Sequence, residues 1–207
     1  MISVFDMFSI GIGPSSSHTV GPMKAAKLFT DLLISKKLLD NVDRVKTELF
    51  GSLGQTGIGH GTGKAIILGL SGETPEEIPV ESIESIVSAV IASQKIGLAG
   101  THCVDFPKDN AIIYHRRKTL PAHANGMTLY AYKNEKLLLE QTYYSIGGGF
   151  IVEASDFEKE KDKALSLHNS IKRPHLFSSA DELLKEALQT GLSISTIMMD
   201  NEKCLND

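Results

Sequence analysis

With 207 residues, 42% hydrophobic and 22% charged, the chain can bury a real core and is not disordered by composition; its length suits one full domain plus part of another. A net charge of -4 and an isoelectric point near 6.0 give no electrostatic reason to bind nucleic acid or an anionic membrane. No apolar run reaches bilayer-spanning length, Met1 to Ile10 lacks the basic start and long apolar stretch of a signal peptide, and Cys103 and Cys204 are too few for a disulfide framework and not spaced as a metal motif, so a reducing cytoplasm is expected.

Along the chain, HTVGPMKAAKLFTDLLISKKLL puts Val20, Met23, Ala26, Leu28 and Leu32 at mostly helical spacing, which predicts a helix over 19–37. Thr19 or Ser17 serves as its cap, and Pro22 fits the first turn, where its missing N–H does no harm. VDRVKTELFGSL alternates Val42, Val45, Thr47 and Leu49 as a strand, closed by Gly51 and Gly54. KAIILGLSG predicts a short buried helix ended by Gly72, and after a proline-bearing loop Ile83, Ile86, Val87 and Val90 mark an amphipathic helix. From 102 to 150 the pattern is strand-like, with Asn125-Gly126 and Lys133-Asn134-Glu135 as turn signals.

These elements predict an α/β, or α+β layered, domain over 1–153, with helices packed on a mixed or antiparallel sheet. Residues 154–177 are charged and polar and read as a linker. Over 178–207, Ser179 and Asp181 cap a helix with Leu183, Leu184, Ala187 and Leu188 on one face, the start of an all-helical domain whose partners are missing from this chain. A dimer is expected, because a one-domain sheet with an unpartnered apolar helix should seek a partner surface. The chain has no internal repeat and no low-complexity tract.

Four stretches hold candidate chemistry. In GIGPSSSHTVGPM, Gly13 allows close backbone approach, Ser15, Ser16 and Ser17 offer hydroxyls, and the following helix N-terminus offers free N–H groups to an anion such as a carboxylate. The same serines also suit an ordinary helix cap, and the local pattern does not choose between the two. GSLGQTGIGHGTGKA has Ile58 and Ala65 where a phosphate-binding loop needs Gly and Ser or Thr, so that reading fails. What remains is His60 between Gly59 and Gly61, either a general base near neutral pH or a cap on the helix that starts at Thr62. In YYSIGGGF, Gly147, Gly148 and Gly149 follow Ser145 at a strand end and suit backbone N–H groups facing a ligand or another domain. His123 in LPAHANGM is the fourth candidate, whereas His102, His115, His168 and His175 are assigned to solvent or structure.

Taken in order, SVFDMFSIGIGPSSSHTVGPMKAAKLF, GSLGQTGIGHGTGKAIILGLSG, LPAHANGMTLYAY and YYSIGGGFIV resemble the amino-terminal (β) part of bacterial iron–sulfur-dependent L-serine dehydratases, also called L-serine ammonia-lyases. The resemblance runs from Met1 to about Val152 and continues weakly into the 178–207 helix. It implies deamination of L-serine to pyruvate and ammonia. In that family one iron of a four-iron four-sulfur (4Fe-4S) cluster acts as a Lewis acid on the serine hydroxyl while a base removes the α-proton. The resemblance further implies that Ser15, Ser16, Ser17, His18 and Thr19 bind the substrate carboxylate and line the site, with His18 and His60 as the catalytic pair and His60 the base or its partner. Thr62, His123 and Ser145 would complete the pocket wall, and Gly147, Gly148 and Gly149 would allow close approach.

Two departures from the family pattern stand out. The family motif usually continues from the histidine through a threonine to an acidic residue, whereas Thr62 is followed by Gly63, which supplies no carboxylate behind His60. The cluster cysteines belong to the family's carboxy-terminal helical (α) domain, and Cys103 and Cys204 do not match them. Two readings follow. Either the chain supplies the substrate pocket of an L-serine dehydratase and depends on a separate α domain or subunit, or it is an inactive serine-binding or assembly module resembling the allosteric substrate-binding domain of some phosphoglycerate dehydrogenases.

Overall fold

The alternation from Val42 to Leu49 sets the centre of the fold. In the computed structural model, β1 (Arg44–Leu49) alternates half-buried and buried residues, and Val45, Thr47 and Leu49 face the core. The structure describes residues 11–157 and 173–204, which belong to two separate units. Met1 to Ile10, residues 158–172 of the expected linker including His168, and the last three residues lie outside them.

Around β1 the first unit builds a seven-stranded mixed sheet in the order β2 (Lys95–Leu98), β3 (His102–Asp105), β1, β5 (Gly126–Lys133), β6 (Lys136–Gly147), β7 (Phe150–Glu153). β4 (Ile112–Tyr114) shares the β3 edge of β1 and runs parallel to it, with Leu49 opposite Tyr114. β5, β6 and β7 form an antiparallel meander beyond β1. Asn134 and Glu135, both at positive φ, make the β5–β6 turn, and Gly148 and Gly149 turn β6 into β7. Gly147, Gly148 and Gly149 have φ of 103°, 58° and 81°, so this hairpin accounts locally for three successive glycines.

Helices α1 (Gly21–Ser35), α3 (Thr62–Leu70) and α4 (Val80–Ser93) pack with the sheet, as expected from their apolar spacing. The core runs through Met23, Phe29, Leu33, Leu49, Leu53, Ile66, Leu68, Leu98, Met127 and Tyr143. α1 and α3 meet at Gly69, where a Cβ would lie 2.2 Å from the Met23 carbonyl oxygen. The buried stripe of α1 is Met23, Ala26, Phe29 and Leu33, one step away from the expected Leu28 and Leu32, and Leu28 is 45% exposed.

Two local expectations are corrected. The helical winding begins before residue 19, as a π-type turn over Ser16–Val20, and its cap is Ser15, whose Oγ accepts from the His18 N–H, not Ser17 or Thr19. Gly51 and Gly54 do not simply close β1, because α2 (Gly51–Thr56) starts there. Gly54 is needed because a Cβ at that position would lie 2.4 Å from the His115 carbonyl oxygen, on the segment that follows β4.

In the second unit, α5 (Ala180–Thr190) is capped by Ser179 and α6 (Ile194–Lys203) by Ser193. Asp181 stands in the first turn of α5 and is not its cap. His175 joins the two helices: its N–H donates to Asn201 Oδ1 at 3.0 Å, its carbonyl accepts from Asn201 Nδ2 at 2.8 Å, and its Nδ1 lies 2.8 Å from Glu186 Oε1. No described α5 residue is buried, and Leu184 and Leu188 are exposed.

Candidate active site

Two threonines clasp the first two motif loops together. Thr19 Oγ1 donates to the His60 carbonyl at 2.8 Å, and Thr62 Oγ1 donates to the His18 carbonyl at 2.6 Å. Both threonines are buried, so each bond is made where a lost partner would leave a dry, unsatisfied carbonyl. The reciprocal clasp sets the two imidazoles against each other, with ring centroids 4.9 Å apart and planes tilted by 52°. His18 is gripped at both ring nitrogens by hydroxyls, Nδ1 by Ser17 Oγ at 3.0 Å and Nε2 by Ser52 Oγ at 2.9 Å.

Ser52 carries the connection onward. Its N–H donates to the Ala124 carbonyl at 2.8 Å, which brings the third motif beside α2. There the Asn125 N–H donates to His123 Nδ1 at 3.1 Å, leaving Nε2 to carry the proton of a neutral His123 ring. Asn125 and Ser145 then exchange two bonds, Ser145 N–H to the Asn125 carbonyl and Asn125 Nδ2 to the Ser145 carbonyl, each at 3.0 Å. The Ser145 side chain returns to the first motif, since a Cβ on Gly21 would lie 2.1 Å from Ser145 Oγ. The four motifs therefore close a ring of contacts through His18, Ser52, Ala124, Asn125, Ser145 and Gly21.

Within that ring Ser145 is fully buried and its Oγ has no hydrogen-bond partner among the described residues. An unpaired buried hydroxyl is costly, and a ligand that accepts its proton removes the cost. Burial pushes the His18 pKa below its ordinary 6.5, and the neighbouring His60 charge pushes it the same way. The folded state thus favours neutral His18, and below pH 6.5 the unfolded chain takes up the proton more readily. Stability is therefore expected to fall as pH drops through 6.5 towards the folded value and to level off below it. Thermal melts from pH 7.5 to 5 check this, and the acid-side slope should be shallower in His18→Gln.

The predicted residues divide clearly. His18 and Ser145 lie in the ring, Thr19, His60 and Thr62 form the clasp with His18, and His123 accepts from the Asn125 N–H, while Ser15 acts as a cap, Ser17 as a His18 partner, and Ser16 is exposed. His60 does not cap α3; Gly61 is the cap residue, with no side-chain cap bond. Two site residues carry no chemical signal of their own in the sequence: Ser52 lies inside the GSLGQTGIGHGTGKA stretch, and Asn125 shows only as a turn signal. His102 bonds the Val42 carbonyl at 2.7 Å and His115 stacks on Phe50, which fits structural roles. A cavity of about 360 Å³ backs onto the clasp at Thr19, Gly59 and Gly61, with Ile58, Leu68 and Ile83 on its apolar side, and neither imidazole lines it.

The serine dehydratase beta chain family matches residues 3–156, which contain all four motifs. The chain belongs to that family. Over 207 residues the beta-chain domain protein is 51% identical to the L-serine dehydratase of Streptomyces coelicolor, covering 100% of this chain and 45% of the relative. It is 47% identical to L-serine dehydratase 1 of Escherichia coli, covering 100% of this chain and 44% of the relative. To the L-serine dehydratase of Helicobacter pylori it is 37% identical over 207 residues, 99% of this chain and 44% of the relative. The beta-chain protein thus spans less than half the length of these relatives.

Its described residues do not fit a four-iron cluster. Cys103 is exposed on β3 and Cys204 is exposed after α6, in different units. No group of three His, Cys, Asp or Glu side chains among the described residues could hold a metal ion, whereas such a cluster needs a set of thiolate ligands. No described helix is long and apolar enough to cross a membrane.

Proposed function

We propose that this beta-chain protein is the substrate-binding part of an L-serine dehydratase, acting with a second part that supplies the cluster ligands and the chemistry at the serine hydroxyl. The observation that carries the reading is the closed ring joining four motifs that lie up to 130 residues apart, from Ser15 to Ser145. The relatives with matching sequence over this length are L-serine dehydratases.

In this reading the L-serine carboxylate accepts a hydrogen bond from the unpaired Ser145 hydroxyl and lies near the Ser17 hydroxyl. A charge-assisted bond of that kind in a dry site is worth more than a neutral one. His60 accepts the α-proton as general base, and neutral His18, held by Ser17 and Ser52, keeps a second positive charge away from it. Loss of the α-proton and departure of the hydroxyl leave an enamine that tautomerises to an imine, and water then converts it to pyruvate and ammonia.

Ser145→Ala separates binding from folding. Because the hydroxyl has no partner among the described residues, stability should stay within about 0.5 kcal/mol of the parent, while L-serine binding should weaken roughly ten- to a hundredfold. Titrating L-serine into the isotope-labelled chain tests the reading itself. The expected result is saturable movement of the His18, His60, Asn125 and Ser145 signals with one shared affinity, and weaker movement with L-alanine. Saturable L-serine binding that leaves these four unmoved would refute it.

The alternative, a serine-binding or assembly module without activity, draws on the misfit between the described residues and a cluster. It predicts the same titration but no pyruvate when the second part is present.

A further inference from the structure

Two of the bonds that hold His18 come from two different helices, Ser52 on α2 at the ring and Thr62 on α3 at the carbonyl. Both helices lean on the same short segment, residues 112–115 of β4 and its end. α2 does so at Gly54, where a Cβ would lie 2.4 Å from the His115 carbonyl oxygen. α3 does so at Gly63, where a Cβ would lie 2.6 Å from the Tyr114 hydroxyl. The segment itself is fixed to β1, since Tyr114 pairs with Leu49 and the His115 N–H donates to the Leu49 carbonyl at 2.8 Å.

The first turn of a helix has N–H groups that need acceptors from outside it. α3 has Gly61 as its cap residue and no side-chain cap, and the Thr62 N–H donates to the Gly57 carbonyl at 2.9 Å. At the second residue of that turn, Gly63, the Tyr114 hydroxyl comes up against the helix from β4. The same hydroxyl stands where a side chain at position 63 would begin, so Gly63 and Tyr114 fit one another.

We infer that Tyr114 is a positioning residue for His18, its hydroxyl packed against the first turn of α3 at Gly63 so that Thr62 grips the His18 carbonyl while α2 brings Ser52 to the ring. The inference deepens the proposed site and rests on His18 belonging to it. Its test follows the His18 ring in the chain itself, so it can fail while L-serine binding stands, or hold while that reading fails.

The experiment is an NMR titration of the histidine side chains in the full 207-residue chain, for the parent, Tyr114→Phe, Gly63→Ala and Val104→Ala. Tyr114→Phe removes the hydroxyl that abuts the turn, and Gly63→Ala pushes it aside with Tyr114 in place. In both, the His18 midpoint is expected to rise by a few tenths of a pH unit towards 6.5, as the clasp loosens and water reaches the ring. Val104→Ala, a core truncation on β3, is expected to lower Tm and leave the midpoint where it was. An unmoved His18 midpoint in Tyr114→Phe overturns the inference, and so does an equal shift in Val104→Ala, which would make the effect one of general destabilisation.

Discussion

Gly69→Ala is expected to lower the stability of the beta-chain protein by about 3 kcal/mol, because the added methyl has no space to enter. Its Cβ would meet the Met23 carbonyl oxygen at 2.2 Å, the Ala26 Cβ at 2.8 Å and the Lys27 nitrogen at 3.1 Å. Two of those three atoms are backbone, so no rotamer change relieves the contact, and α1 must move away from α3. For a unit of this size the loss corresponds to a fall in Tm of roughly 6–12 °C. The candidate-site loops sit at the N-terminal ends of these two helices, so the shift also pulls the Thr19 and Thr62 bonds apart. Thermal denaturation of Gly69→Ala beside Gly100→Ala separates the causes: Gly100 has φ of 71° and a Cβ there would come no nearer than 3.5 Å to the Ser71 carbonyl oxygen, so its variant reports backbone strain, whereas Gly69 reports helix approach.

Thr62→Val is expected to have the largest effect on activity. Valine keeps the branched shape in a fully buried position and removes only the hydroxyl that donates to the His18 carbonyl at 2.6 Å. The carbonyl left without that donor costs about 1–3 kcal/mol of stability. A displacement of about 1 Å between reacting groups can cost on the order of a hundredfold in rate, and that is the loss expected in kcat for the dehydratase proposed to assemble from this chain and a second part. Thr62→Ser keeps the donor and loses a methyl, so it should recover most of the rate while remaining less stable than the parent. Steady-state kinetics of the three proteins, read with their melting temperatures, checks this. Equal losses in Val and Ser variants would mean that packing at position 62, and not the clasp, sets the site.

The parts of the fold that were legible in the sequence are those with a local physical signal. β1 alternates because one face meets the core, and the β5–β6 turn shows itself through Asn134, a residue that tolerates positive φ. α2 was not legible: six residues containing two glycines carry no helical stripe, and its Gly54 answers to the approach of His115, far along the chain. The stripe of α1 was displaced because helical spacing alone does not say which adjacent leucine meets the sheet. Leu33 is buried and Leu28 exposed.

The candidate site shows the same division. His60 between glycines and the SSSHT loop stand out as unusual stretches, and the family resemblance ordered them into one site. Their geometry depends on bonds between residues 41 and 44 positions apart, Thr19 with His60 and Thr62 with His18, for which no local pattern exists. Ser52 and Tyr114 were invisible for that reason, since each acts across strands and helices and neither is chemically unusual in its own segment. The three glycines at 147–149 were legible as an anomaly, yet the turn between β6 and β7 already accounts for their conformations.

Pyruvate release from L-serine after anaerobic iron and sulfide reconstitution decides whether this chain forms part of a shared site, measured with this chain alone, the remaining part of a relative such as the Streptomyces coelicolor enzyme alone, and the two together. Pyruvate is expected only from the mixture and is abolished when this chain carries His60→Gln. Equal pyruvate from the second part alone, or a mixture unaffected by His60→Gln, would rule out a shared site built on His60.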